Sequence, residues 1–140
     1  MNNQDVAWLN LHRAEVILEE ARSLKVKKAW NLVVRRAQEA VESALKGALL
    51  WASLEVPRVH DVGTFLRQHG NRFPPEFAQQ IPRLASISRT LAVERARSFY
   101  GDEESGLPPE MLYSEQDATE ALEKAVFVLD VCRQSLESRG

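Results

Sequence analysis

Apolar positions along the 140-residue chain recur at three- and four-residue steps almost throughout, and nowhere alternate as a strand would. The first such stretch predicts a helix over residues 4–24, with Val6, Leu9, Ala14, Ile17, Leu18, Ala21 and Leu24 on one broad stripe. Residues 23–28 connect it to the longest predicted helix, over 28–54. There Ala29, Val33, Ala37, Ala40, Ala44, Ala48 and Ala52 form a seam of small residues beside bulkier Val34, Val41, Leu45 and Leu49. Two adjoining seams predict contact on two sides, so this helix should be central to a bundle, ended by Pro57. A short helix is expected over 62–69, with Val62, Phe65 and Leu66 inward.

Gly70-Asn71 and Pro74-Pro75 then interrupt the chain. The pattern resumes through Phe77, Ile81, Leu84, Ala85, Leu91 and Ala92 to about Phe99, with Pro82 inside it. A break that leaves Pro82 in the first turn of a new helix is preferred to a kink. Residues 101–113, with two glycines, Pro108-Pro109 and three consecutive acids, read as loop. Ser114 reads as an N-cap, with Glu115 and Asp117 where negative charge suits the helix dipole. The last helix, to about Leu136, carries Ala118, Leu122, Ala125, Leu129, Cys132 and Leu136 in 4-3-4-3-4 spacing, a seam suited to bundle packing or a dimer contact. The fold class is therefore all-α: one domain, residues 1–140, an up-and-down antiparallel bundle of four main helices and one short one.

Composition narrows the function classes. With 18 Lys+Arg against 20 Asp+Glu the net charge is −2, which excludes a globally basic nucleic-acid coat. The charge is uneven: residues 1–100 hold 15 basic and 10 acidic side chains, residues 101–140 only 3 basic and 10 acidic. Between Arg22 and Arg36 lie Arg22, Lys25, Lys27, Lys28, Arg35 and Arg36 with no acid. That stretch is either a phosphate-facing surface or an ordinary solvated turn between helix ends. No apolar run reaches membrane-spanning length and the polar start is no signal peptide, so a cytoplasmic domain without membrane contact is expected.

Catalytic equipment is sparse. There is no phosphate-cradling glycine loop, no His-Glu-x-x-His metal helix and no Glu-x-x-His pair, so neither metal nor cofactor is expected. Cys132, the single cysteine, lies in the apolar seam and reads as core rather than nucleophile. His60 precedes Asp61 at the start of the short helix. The pair either supplies a carboxylate-held imidazole for base or phosphate chemistry, or Asp61 caps the helix while His60 packs on the long one. Arg95 falls on the apolar stripe one turn before Phe99 and needs a partner, from Asp102, Glu103 or a glutamate of another helix. If solvent reaches it, Arg95, Arg97 and Tyr100 suit a phosphodiester or nucleotide: guanidinium forks for phosphate, a phenol for stacking.

These residues carry a family resemblance. Arg36-Ala37-Gln38-Glu39-Ala40-Val41-Glu42-Ser43-Ala44-Leu45-Lys46-Gly47-Ala48-Leu49-Leu50, followed by Pro57-Arg58-Val59-His60-Asp61-Val62, resembles the long helix and Pro-x-x-His-Asp-Leu stretch of HEPN domains, small helical nucleotide-binding modules. Arg97-Ser98-Phe99-Tyr100-Gly101-Asp102 and Tyr113-Ser114-Glu115-Gln116-Asp117-Ala118 are similar to the family's Arg-Tyr-Pro-Asp segment and final helix, though the proline is missing. The resemblance covers roughly residues 5–138.

It implies a five-helix bundle that forms a homodimer. It also implies a minimal nucleotidyltransferase protein as partner, often in a toxin–antitoxin module. Other members are ribonucleases whose site is an Arg followed, after four to six residues, by a His. No histidine follows an arginine at that spacing here. Arg95 with Tyr100 keeps the gap but substitutes a phenol, which titrates near about 10 and is a poor base at neutral pH. The preferred expectation is a non-catalytic nucleotide- or RNA-binding module with contacts from Arg95, Arg97, Tyr100, His60, Lys27, Lys28, Arg35 and Arg36. The alternative is a divergent metal-independent ribonuclease toxin using Arg95 and Tyr100, with His60 brought near in space. A third, lesser expectation is that the partner modifies Tyr100 or Tyr113.

Overall fold

The computed structural model of the protein describes residues 1–138, and these are all helix, turn and loop. Four long helices, α1 (Asn3–Val26), α2 (Trp30–Trp51), α5 (Ile81–Tyr100) and α6 (Glu115–Glu137), form the bundle. Two short ones, α3 (Gly63–Gln68) and α4 (Pro75–Ala78), lie between α2 and α5. The expected fold class holds, with α4 as an extra short helix. Pro82 does sit in the first turn of α5.

Helix α2 is the centre, packed against α1, α6 and α5. Its small-residue seam is buried from Val33 to Ala52, and Leu45 is wholly enclosed. Gly47 permits the closest approach to α1, since a Cβ there would lie 3.1 Å from both the Ala7 carbonyl oxygen and Asn10 Cβ. Every residue of the predicted α6 seam is buried. Burial pushes the Cys132 thiol up to about 12, as suits a core residue rather than a nucleophile. An ion pair between Arg133 and Glu15 links α6 to α1 at the surface.

Two helix boundaries differ from expectation for one physical reason. Lys28 and Ser53 both adopt left-handed backbone, each with a φ of 60°. The Ala29 N–H then reaches the Leu24 carbonyl and the Leu54 N–H the Leu49 carbonyl, which closes α1 and α2 without glycine. Helix α1 thus continues to Val26, and α2 stops at Trp51, well before Pro57. Ser114 caps α6 as predicted, in a reciprocal box with Asp117, and Asn2 with Asp5 makes the same box on α1. No helix among the described residues is long and apolar enough to cross a membrane.

Candidate nucleotide-binding site

One face of α2 carries Arg35, Arg36, Gln38, Glu39, Glu42, Ser43 and Lys46 over three turns. Helix α5 covers part of this face and α1 flanks its other side, leaving a polar cleft of about 340 Å³ between them. Arg13 and Ile17 of α1 and Arg95 of α5 stand over Glu39, Glu42, Ser43 and Lys46.

At one end three guanidinium groups converge on the Glu39 carboxylate. Arg36 donates to it at 2.8 Å, Arg35 lies 3.6 Å away and Arg95 3.9 Å away. Arg35 also donates to the Arg95 backbone carbonyl, and Asn31, buried in α2, donates to the Ser98 carbonyl at 3.1 Å. These bonds fix the C-terminal half of α5 against α2. Arg95 therefore takes its partner from another helix, while Asp102 turns instead to Ser105 at 2.6 Å. Three cations against one carboxylate leave a local surplus of positive charge.

Beside this cluster is an aromatic pair. The Arg35 guanidinium lies 5.2 Å from the Phe99 ring centroid, and Phe99 meets Tyr100 edge-on at 5.0 Å. Phe99 is 50% and Tyr100 76% exposed, so both rings offer faces to a ligand. Arg97 points to Glu94, at 3.5 Å, and is half-exposed. Glu94 also accepts from the Tyr113 hydroxyl at 3.4 Å. Burial, followed by the Glu94 charge, raises the Tyr113 phenol well above its ordinary value of 10.0.

At the other end the bonds run in a chain. Arg95 Nη1 donates to Gln38 Oε1 at 2.8 Å, and Gln38 Nε2 donates to Glu42 Oε1 at 2.9 Å. The same oxygen meets His60 Nδ1 at 2.8 Å, and Lys46 Nζ donates to Glu42 Oε2 at 2.8 Å. Burial alone would raise the Glu42 carboxyl. The bonds from Lys46, Gln38 and His60 together outweigh it and hold the group below its ordinary value of 4.5. An ionised carboxylate only accepts, so His60 Nδ1 carries the proton, and the ring is half-exposed. Asp61 meanwhile accepts from the Gly63 N–H at 2.9 Å and from Ser88 Oγ at 3.0 Å, which ties the start of α3 to α5. The His60-Asp61 pair is thus split, with Asp61 anchoring the loop and His60 held on the long helix.

The basic side chains between Arg22 and Arg36 are not joined in one cluster. Arg22 pairs with Glu19, and exposed Lys27 and Lys28 lie in the α1–α2 turn without a hydrogen bond or ion pair to the cluster. Only Arg35 and Arg36 join it. The additional site residues are Arg13, Gln38, Glu39, Glu42, Ser43 and Lys46. Their signal was the i, i+4 run Gln38, Glu42, Lys46 on the face away from the alanine seam, which reads as a solvated face until α5 and His60 are placed on it. No cluster of three or more His, Cys, Asp or Glu side chains among the described residues could hold a metal.

The HEPN domain family model matches residues 7–135. This chain belongs to the HEPN family. The HEPN fold is also seen in the crystal structure of an archaeal HEPN homologue, which is similar to this chain at 24% identity. That match covers 97% of this chain and 98% of the archaeal one, with a TM-score of 0.71. No functionally curated protein matches the chain in sequence.

Proposed function

We propose that this HEPN domain is a non-catalytic nucleotide- and RNA-binding module, acting as a homodimer beside a minimal nucleotidyltransferase in a toxin–antitoxin-type pair. The observation that carries the binding role is the convergence of Arg35, Arg36 and Arg95 on the single carboxylate of Glu39, next to exposed Phe99 and Tyr100. The guanidinium fork matches phosphate as it matches carboxylate, and aromatic faces take unpaired bases. Support for a non-catalytic role comes from the chemistry near Arg95: five residues on stands Tyr100, an exposed phenol rather than an imidazole. Exposed Val93 and Met111 suit contact with a second copy or the partner.

The test is binding of a labelled single-stranded RNA with chelator present. Wild type binds and leaves the RNA intact, and Arg95→Ala weakens binding about tenfold or more, the worth of one charge-assisted contact. Failure of wild type to bind RNA or nucleotide at low salt overturns the reading.

A second reading draws support from the chain Arg95–Gln38–Glu42–His60, which couples an arginine to a carboxylate-oriented imidazole. On that reading the protein is a metal-independent ribonuclease using Arg95 and Tyr100 with His60. Chelator-resistant cleavage that disappears in both Arg95→Ala and His60→Ala would replace the binding module with the nuclease.

A further inference from the structure

Arg13, Lys46 and Arg95 line the cleft, and Arg35 and Arg36 stand beside it on Glu39. Arg35, Arg36 and Arg95 surround Glu39 at one end, whereas Arg13 and Lys46 stand by Glu42 at the other. In and beside this groove five cations stand against two carboxylates, in a chain whose net charge is −2. Arg35 and Lys46 are eleven residues apart on α2, about 16 Å along the helix axis.

The far end is built as a receptor rather than as a balanced ion pair. Arg13 is exposed and hydrogen-bonds to Asn10 Oδ1 at 3.3 Å, with no carboxylate partner among the described residues. Ser43 Oγ donates to the Asn10 carbonyl at 2.9 Å, which fixes the α1 wall against the α2 floor at this point. Lys46 spends one donor on Glu42 and keeps others for a ligand. His60 meets the other oxygen of Glu42 through Nδ1 and is half-exposed.

We infer that Arg13 and Lys46 form a second phosphate subsite, so that the ligand is a strand of RNA laid along α2 rather than a lone mononucleotide. Its backbone crosses the groove from the Arg35–Arg36–Arg95 end to the Arg13–Lys46 end. Unpaired bases stack at Phe99 and Tyr100, which a duplex could not offer. This rests on the binding role proposed above and adds to it the class of ligand and its path.

Calorimetric titration of the intact protein with uridine monophosphate and with hexauridylate, at two salt concentrations, separates the two claims. The hexamer binds about tenfold or more tightly than the monophosphate, as engagement of a second phosphate requires. Arg13→Ala weakens the hexamer several-fold and lowers its salt slope by about 0.7, as when the protein neutralises one fewer phosphate of a single strand. It weakens the monophosphate less than it weakens the hexamer. Lys46→Gln acts in the same direction, and Arg95→Ala weakens both ligands. Arg13 is exposed and without a carboxylate partner among the described residues, so its removal leaves the fold intact. Equal affinity for both ligands, or a hexamer indifferent to Arg13→Ala, overturns the second subsite while leaving the binding module standing. Binding of neither ligand removes the module as well.

Discussion

Arg95 and Gln38 meet across the α5–α2 interface, with Nη1 of the arginine 2.8 Å from Oε1 of the glutamine. Gln38 is only 2% exposed, and its amide passes the connection on to Glu42. A neutral, buried amide thus joins the two ends of a charged groove. It can do so because an amide offers an acceptor to the guanidinium and a donor to the carboxylate at once.

Gln38→Leu keeps the volume and removes both bonds. It leaves Arg95 and Glu42 each short of a partner, and the expected loss is about 2–3 kcal/mol, from two groups deprived of hydrogen bonds. Urea unfolding at neutral pH measures it. A loss below about 0.5 kcal/mol, the level of an ordinary surface change, would mean that the bridge contributes little.

Glu42 supplies a pH dependence with a definite sign. Its folded-state carboxyl titrates below its ordinary value of 4.5, so its ionised form contributes stability above that pH. The contribution is lost as pH falls through the depressed folded value. Wild type should therefore exceed Glu42→Gln by most near pH 7, and the gap should narrow as unfolding is followed below about pH 4.5. A gap that stays constant down to about pH 3 would show that the partners of Glu42 do not favour its charged form.

Cys132 gives a test of the core. With the thiol pushed to about 12 and fully buried, it should resist iodoacetamide at about pH 8 in the native protein. Labelling, followed by mass spectrometry, should appear only once denaturant unfolds the bundle. Rapid native labelling would contradict the packing of α6 against α2.

Much of the fold was legible because the bundle is built on unambiguous apolar spacing. The α6 seam, the Ser114 cap and the place of Pro82 follow from local chemistry that the tertiary structure leaves alone. The ends of α1 and α2 were not legible, since left-handed Lys28 and Ser53 are side-chain-bearing residues that carry no glycine signal. The site was legible in part. Arg95 declared itself as a cation on an apolar stripe, and Arg35 and Arg36 as part of a basic run. Gln38, Glu42 and Lys46 did not, because polar residues at i, i+4 spacing on a long helix look the same whether they face water or a neighbouring helix. Arg13 becomes a groove residue only when α1 lies beside α2.

The most direct measurement is the fate and affinity of single-stranded RNA incubated with the purified protein and chelator, compared with Arg95→Ala. A binding module retains intact RNA and loses about tenfold or more in affinity on Arg95→Ala. RNA that is cleaved by wild type and spared by the variant, or RNA that is never bound, would contradict it.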